Sequence, residues 1–395
     1  MKRKTTLTIL FAACILMANA QKKASQQVKV CEEPISFIKD GHIYLPSIID
    51  NTHHANMIFD TGASGQLLVD TVYLKEQGWT INTSMWGRLR GTNGYSHVRL
   101  SQKRHKVEHG KASETFPYMV LGNLRSVLGK HADGLFGSND FERLPLEINY
   151  QQRFIRKLNT IPDSVKRNYQ CLPLAFKDKD CLIKATIWFN GQAIEGLYII
   201  DTGAGDDVFF TEATTKRYNM ESYKGKKRVG HGLDMGLGDG GVSTWIDAYA
   251  DSMRMGSLHI PQPGISLSPI GKGAFKENIY VGNIGAGVLG CYNLVIDIPN
   301  GKLYCRQFKE YLSDGTMWGF SWINRTDIGK GWIVRSIYDG SAADKAGLKL
   351  GDTIVEVNGR KVEHFSWDEE RALSKDSSIT LLLKTEKQEQ ERQKA

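Results

Sequence analysis

Two aspartates in the chain follow the same local pattern, in which three apolar residues lead into Asp-Thr-Gly-Ala. The first copy spans Met57–Ala63 and the second spans Tyr198–Ala204. The apolar run predicts a buried strand, and Asp-Thr-Gly at its end predicts a tight loop. Asp60 and Asp201 are therefore expected to leave the ends of strands in partly desolvated surroundings, which disfavour an ionised carboxylate.

The chemistry that suits such a pair is activation of water. If two similar halves bring Asp60 and Asp201 together across a pseudo-twofold axis, the carboxylates can share one proton and activate a water between them. Two carboxylates this close cannot both ionise easily, so the pair titrates in two separated steps. Gly62 and Gly203 allow the backbone to turn sharply and to pass close beside each carboxylate.

A second motif also occurs twice. Gly134-Leu135-Phe136-Gly137 lies downstream of Asp60, and Gly287-Val288-Leu289-Gly290 lies downstream of Asp201. Each copy is followed by an apolar-acidic-apolar segment that predicts a hairpin. An internal repeat of this length outweighs any single motif and predicts two related lobes.

Together these motifs resemble those of the aspartic peptidases, whose signature is hydrophobic-hydrophobic-Asp-Thr-Gly followed by Ser, Thr or Ala. The Ala form is most similar to the retropepsin branch, although both lobes lie in one chain here, as in pepsin. The resemblance implies a mostly β fold, a two-lobed acid-protease-like β-barrel pseudodimer. Its lobes are expected at residues 31–165 and 166–310, with a linker between Pro162 and Pro173.

The resemblance also implies residue roles. Asp60 and Asp201 would form the catalytic dyad, with one carboxylate ionised to take a proton from water and the other protonated. The loops carrying them would be cross-linked by two threonines, and backbone N–H groups of two glycines would face the carboxylates. These supporting residues are Thr61, Thr202, Gly62 and Gly203. The chemistry needs neither a metal nor an organic cofactor.

Residues 86–100 contain glycines and an Asn93-Gly94 pair between apolar flanks, which predicts a hairpin. By position, this hairpin is the candidate flap over a peptide substrate. Tyr95 is the candidate for its aromatic contact, although an ordinary surface tyrosine fits the pattern equally well. The glycine-rich residues 225–244 predict a second flap-like loop.

From about Met317 the composition changes, and the runs Trp318–Ser321 and Gly340–Gly359 resemble a PDZ domain of the bacterial peptidase-associated type, at residues 315–385. The resemblance implies that the first run offers backbone N–H groups to a peptide carboxylate and that the adjoining strand accepts the peptide. The residues concerned are Trp318, Gly319, Phe320 and Ser321. Trp318 replaces a more usual small residue, so strict C-terminal recognition and a packing module without a peptide both stay open. The charged tail 386–395 is expected to fray.

The N-terminus combines basic Met1–Lys4, an apolar run from Leu7 to Met17 and Ala18-Asn19-Ala20. This combination predicts a secretory signal peptide of residues 1–20, hence a periplasmic, cell-surface or secreted protein. The apolar run is too short for an ordinary transmembrane helix, and no later stretch is long enough either. A lipoprotein anchored through Cys14 is disfavoured because the residues before Cys14 are a poor lipoprotein sequence.

Cleavage after Ala20 removes three basic residues and no acidic ones, which lowers the formal net charge from +8 to +5. Because the basic residues are scattered, this charge does not predict nucleic-acid binding. An exported chain permits disulfides, so Cys291–Cys305 and Cys171–Cys181 pairs remain possible beside free buried thiols. The cysteines left after cleavage are Cys31, Cys171, Cys181, Cys291 and Cys305.

Other chemistries fit the sequence less well. Two Gly-x-Gly-x-x-Gly matches do not open a helix after a strand, as dinucleotide binding requires, and the histidines lack a metal-ligand spacing. We therefore expect an exported aspartic endopeptidase that cleaves peptides or proteins, with a PDZ domain that binds substrate or partner. The alternative is a non-catalytic peptide-binding protein on the same scaffold, although two intact Asp-Thr-Gly loops argue against the loss of activity.

Overall fold

The computed structural model describes residues 32–63, 65–83, 85–91, 94–138, 142–233, 236, 240–267, 279–313 and 318–384. The predicted signal peptide, Cys31, Met317, the tip of the candidate flap at Thr92-Asn93 and the charged tail lie outside the described residues.

Within the described residues the fold is mostly β, as predicted, and the helices are short. They are α1 (Thr71–Glu76), α2 (Arg125–Leu128), α3 (Asp163–Asn168), α4 (Glu212–Arg217), α5 (Ala286–Leu289), α6 (Ala342–Lys345) and α7 (Trp367–Ala372). Alternating or continuous runs of Val, Ile, Leu and Phe favour strands in most other segments.

The first unit extends from residue 35 to residue 157. Its strands are β1 (Ile35–Ser36), β2 (Ile38–Asp40), β3 (His42–Ile49), β4 (His53–Phe59), β5 (Leu67–Asp70), β6 (Met85–Gly91), β7 (Gly94–Ser101), β8 (His105–His109), β9 (Ala112–Phe116), β10 (Met119–Gly122), β11 (Gly134–Phe136), β12 (Leu146–Asn149) and β13 (Phe154–Lys157). Strand β4 lies between antiparallel β3 and parallel β11. Its last three residues are fully buried, so Asp60 follows a strand in the core.

The second unit extends from residue 170 to residue 307. Its strands are β14 (Gln170–Lys177), β15 (Asp180–Phe189), β16 (Gln192–Ile200), β17 (Val208–Phe210), β18 (Lys227–Leu233), β19 (Val242–Tyr249), β20 (Ser252–Met255), β21 (Leu258–Pro261), β22 (Gly264–Leu267), β23 (Gly282–Ile284), β24 (Tyr292–Asp297) and β25 (Lys302–Gln307). The β15–β16 hairpin turns at Asn190 and Gly191, whose φ angles of 51° and 73° suit a tight two-residue turn. Strand β16 then leads into Asp201.

The two units repeat one arrangement around their aspartates. Strand β11 lies parallel to β4 and antiparallel to β5, and β23 lies parallel to β16 and antiparallel to β17. Residues 282–285 are therefore the counterpart of residues 134–137. The sequence-based pairing of residues 134–137 with residues 287–290 was wrong, because Gly287 to Leu289 lie within helix α5.

One antiparallel sheet joins the two units. Its strands follow the order β1-β13-β12-β24-β25-β14, so the hairpin of the first unit pairs with the hairpin of the second. The largest hydrophobic core runs through both units and includes Phe59, Ile148, Ile200 and Ile296. This shared sheet and core hold the two aspartate loops in a fixed relation.

The third unit follows the second and has its own core around Trp332, Val334 and Ile354. Its strands are β26 (Phe320–Asn324), β27 (Trp332–Tyr338), β28 (Thr353–Val357), β29 (Arg360–Lys361) and β30 (Leu381–Leu383). The glycine-rich stretch predicted to be a second flap-like loop includes β18 and the start of β19, and β18 pairs with β27. The third unit is thus joined to the second through main-chain hydrogen bonds.

Candidate active site

Asp60 and Asp201 lie together in a cleft of about 500 Å³ between the first and second units. Each is held in the same way by the neighbouring parallel strand. The N–H of Asp60 donates to the carbonyl of Phe136, and the N–H of Asp201 donates to the carbonyl of Ile284, both at 3.0 Å. The structure thus brings the two predicted residues to one site.

The threonines that follow the aspartates cross-link the two loops. The N–H of Thr61 donates to Thr202 Oγ1 at 3.1 Å, and the N–H of Thr202 donates to Thr61 Oγ1 at 3.0 Å. Their hydroxyls then donate across the interface, Thr61 to the carbonyl of Ile200 at 2.6 Å and Thr202 to the carbonyl of Phe59 at 3.3 Å. Both threonines are fully buried, so these four bonds fix the loops in a low-dielectric environment.

The glycines of the two motifs allow the carboxyls to approach the opposite loop. The N–H of Gly62 donates to Asp60 Oδ1 at 2.7 Å, and that of Gly203 donates to Asp201 Oδ1 at 2.9 Å. A Cβ atom on Gly203 would lie only 2.3–2.5 Å from the carboxyl of Asp60. Only glycine fits at this position.

The hydrogen bonds of the two aspartates differ. Asp201 Oδ1 also accepts from the N–H of Ala204 at 3.0 Å, and Asp201 Oδ2 accepts from Asn283 Nδ2 at 2.9 Å. Asn283 lies opposite Ile199 in β23, and the residue opposite Ile58 in β11 is Leu135. A leucine side chain has no N–H to donate, so among the described residues only Asp201 receives a side-chain amide donor from the neighbouring strand.

Sequence reasoning missed Asn283 because the second motif was placed too far along the chain. The pattern Gly282-Asn283-Ile284-Gly285 repeats the spacing of glycines in residues 134–137 and was the signal that could have identified the residue. Its polar second position made it look unlike a buried strand.

The surroundings give the two aspartates different pKa values. Burial, and after it the neighbouring Asp201 carboxyl, raise the pKa of Asp60 to about 8. Burial also raises the pKa of Asp201, but the donors from Asn283, Gly203 and Ala204 oppose this effect. Asp60 therefore keeps its proton to higher pH, and Asp201 is the carboxyl that ionises first.

The walls of the cleft are largely apolar. They come from the β6–β7 hairpin, helix α2, and strands of both units, and include Leu68, Leu89, Leu124, Val127, Leu128, Leu135, Leu182, Ile199, Ile279 and Tyr280. The lining also includes Lys177, Asp178 and Asp180. A largely apolar cleft with a few polar groups suits an extended chain of mixed polarity, such as a peptide.

Tyr95 lies away from the cleft, although the hairpin that carries it was predicted. Leu89 and Gly91 from this hairpin line the cleft, whereas Tyr95 is exposed and its ring packs 4.1 Å from the guanidinium of Arg88. Leu89 pairs with Ser96, and neighbouring residues in a strand point to opposite faces. The expected aromatic contact of Tyr95 therefore does not fit this arrangement.

Trp318, Phe320 and Ser321 line a second cavity, of about 730 Å³, which lies between β26 and α7 and is closed on another side by the first unit. Gly319 precedes the strand with a φ of 78°, and a Cβ atom there would lie 2.2 Å from Ser341 Cβ. Ser321 Oγ and Ser336 Oγ are hydrogen-bonded at 2.5 Å. A loop that requires glycine thus leads into an edge strand beside a helix.

Strand β26, helix α7 and the residues Trp318-Gly319 before β26 form a groove. A family model of the PDZ domain matches residues 311–385, so this part of the chain is a PDZ domain. Its start lies slightly before the predicted residue 315, and its presence implies binding of a peptide or a protein. No curated protein matches the chain.

The cysteines among the described residues carry free thiols, so neither of the possible pairs is formed. Burial raises the pKa of the Cys181 thiol to about 12, which keeps it protonated. No three His, Cys, Asp or Glu side chains cluster to hold a metal ion within the described part of the chain. No helix in that part is long and apolar enough to cross a membrane.

Proposed function

We propose that the protein is an exported aspartic endopeptidase, with the first and second units as the lobes of an acid-protease-like pseudodimer. The observation that carries this proposal is the pair of Asp-Thr-Gly loops, cross-linked through Thr61 and Thr202 with both carboxyls in one cleft. The basic and apolar N-terminus supports export from a bacterial cytoplasm to the periplasm or cell surface.

The asymmetry of the pair supports a division of roles. Asp201, ionised and held by Asn283, takes a proton from the water as the water oxygen attacks the scissile carbonyl carbon. Asp60 gives its proton to the carbonyl oxygen, which yields a neutral diol. When the C–N bond breaks, Asp201 passes its proton to the leaving amine and a diol hydroxyl returns a proton to Asp60. Both carboxyls recover their starting states.

The PDZ domain adds a second site for peptide chains. Its groove is separate from the cleft of the aspartates. The domain can therefore hold one part of a substrate, or a partner, while Asp60 and Asp201 act on another part of the substrate. The apolar cleft walls favour substrates with apolar side chains beside the scissile bond.

A second candidate is a non-catalytic protein that binds peptides, and the PDZ match favours it independently of the aspartates. The two functions make different use of the cleft. A binding protein holds a peptide unchanged, whereas a peptidase releases new amino termini.

The test is incubation of the protein beginning at residue 21 with a fluorescent denatured protein, with and without a transition-state isostere such as pepstatin. We expect new amino termini from pH 5 to 7 and their suppression by the isostere. Retention of the labelled protein without any cleavage across this range would support the binding protein and contradict the peptidase.

A further inference from the structure

Residues 124–131, named the coupling segment here, separate the two cavities. They comprise Leu124, helix α2 and the three residues that follow it. Val127 and Leu128 line both the cleft of the aspartates and the cavity at the PDZ groove. A change in the position of this segment therefore alters both sites.

The coupling segment also occupies part of the peptide-binding edge of β26. One edge of β26 pairs with β27. On the other edge, the N–H of Lys130 donates to the carbonyl of Asn324 at 2.9 Å. A peptide that adds to a PDZ domain as a strand uses this free edge. The backbone groups of β26 that point away from β27 belong to every second residue, here Asn324 and Trp322. Because Lys130 already binds Asn324, the part of the edge that is open to a peptide ends at Trp322.

Side chains of the first unit bind both walls of the groove, which are β26 and α7. Lys130 Nζ donates to Thr326 Oγ1 at 3.0 Å, just beyond β26. On the helix side, Trp367 Nε1 donates to Asp40 Oδ2 at 2.5 Å, and the Trp367 ring stacks on His131 at 4.3 Å. These contacts hold the groove against the first unit.

The cavity contains cationic side chains that can bind an anionic chain end. Glu370 accepts from Trp322 Nε1 at 2.9 Å and from Asn324 Nδ2 at 2.6 Å, and Asp40 accepts from Trp367. Both acidic side chains that line the cavity thus already have protein donors. Two cationic side chains, Arg335 and Arg371, line the same cavity, and Arg371 also donates to Asp368 and to the carbonyl of Lys39. A free peptide carboxylate is the complementary ligand.

The arrangement in which the first unit packs against the groove also leaves buried polar atoms without hydrogen bonds. Within the described residues, His42 Nδ1 and Trp318 Nε1 are buried without a hydrogen-bond partner, and both residues line the cavity. An unsatisfied buried polar group has lost its hydrogen bonds to water and gained none in the protein, which costs free energy. A ligand that opens the groove and satisfies these groups regains part of that free energy.

We propose that a peptide with a free carboxyl terminus enters the groove between β26 and α7, displaces Gly129 and Lys130 from β26, and moves Val127 and Leu128 in the wall of the aspartate cleft. The displacement depends only on the PDZ groove, whereas its effect on cleavage rests on the proposed function. Coupling of this kind is reciprocal, so a ligand in the cleft changes peptide affinity by the same factor.

Two double variants test the proposal. Lys130→Ala with Asp40→Ala removes the side-chain bonds to Thr326 and Trp367, one on each wall, and leaves the sequence of the PDZ domain unchanged. This is the opened variant. Lys106→Ala with Asp163→Ala is the matched control, because it removes one lysine and one aspartate whose ion pairs with Glu108 and Lys166 lie away from the groove. The probe is a pool of labelled hexapeptides with randomised last three positions, either as free acids or as amides.

We expect the free-acid pool to bind the full chain, to speed hydrogen exchange in residues 124–131, and to bind the opened variant about fivefold or more tightly than the control. Equal affinity for both variants, unchanged exchange in bound protein, or no binding of the pool to either variant would overturn the proposal. Faster exchange in a protein without peptidase activity would keep this inference and refute the proposed function.

Discussion

Asp60 and Asp201 follow the same four-residue motif but have different hydrogen-bond partners. The difference comes from Asn283 and Leu135. Each lies on a strand that is distant in sequence from the strand leading to its aspartate but pairs with it in the sheet. The motif could be read from the sequence because it is local. The donor could not, because its position depends on which strand pairs with β16.

The first prediction concerns this donor. Asn283→Leu reproduces the surroundings of Asp60 and removes a hydrogen bond from the ionised Asp201, so the pKa of Asp201 rises. We expect the acidic limb of kcat/KM against pH to move up by about one unit.

The reciprocal change, Leu135→Asn, supplies the matched comparison. It offers a hydrogen-bond donor to Asp60, which lowers the pKa of Asp60. The basic limb of kcat/KM against pH is therefore expected to move to lower pH. An acidic limb that stays in place in Asn283→Leu, in a folded and active protein, would refute the assignment of Asp201 as the ionised carboxyl.

The raised pKa of Asp60 also affects stability. In the unfolded chain an aspartate loses its proton near pH 4, whereas the folded protein holds this one until about pH 8. The unfolded state therefore binds fewer protons between these values, and wild-type stability falls as pH rises through this window.

Asp60→Asn removes this effect because asparagine does not titrate. We expect its Tm to exceed that of wild type by an amount that grows between pH 4 and pH 8, reaching at least about 2 °C. Asp163→Asn, at an exposed position, is the control. A Tm difference that is independent of pH would contradict the raised pKa of Asp60.

At the scale of elements, the strands that carry the aspartates and the hairpin at residues 86–100 were predictable from local patterns. The error at residues 287–290 arose because a Gly-apolar-apolar-Gly run also fits a short helix, here α5. The face on which Tyr95 lies was not predictable. A hairpin pattern shows that successive side chains alternate between two faces, but it does not show which face lies toward the cleft. The pairing of β18 with β27 has no local signal at all.

That pairing leads to a prediction about truncation. Ending the chain at residue 313 removes β27 and leaves the edge of β18 without its partner. It also removes the bond from Tyr338 Oη to Asp247 Oδ2 at 2.5 Å and the contact of Asp339 with His231. We expect the remaining units to lose roughly 5 °C or more in Tm.

A chain ending at residue 384 is the control for this truncation, because it keeps all the strands that the structure describes in the PDZ domain. Equal Tm values for the two shortened proteins would show that the PDZ domain is an independent appendage, contrary to the strand pairing.

At the scale of the whole molecule, the order of three units along the chain followed from the repeat and from the change in composition near residue 317. The contacts between them did not, because they join residues far apart in sequence. The PDZ domain pairs with the second unit through β27 and packs on the first through Trp367. It therefore lies against both units that supply the aspartates.

The central claim is that Asp60 and Asp201 together hydrolyse peptide bonds, and one rate measurement tests it. The measurement is kcat/KM for a short fluorogenic peptide at pH 6, for wild type, Asp60→Asn, Asp201→Asn and the control Asp163→Asn. We predict wild-type rates in the control and a loss of at least about 100-fold in each of the other two variants. Wild-type rates in either Asp60→Asn or Asp201→Asn would contradict the claim.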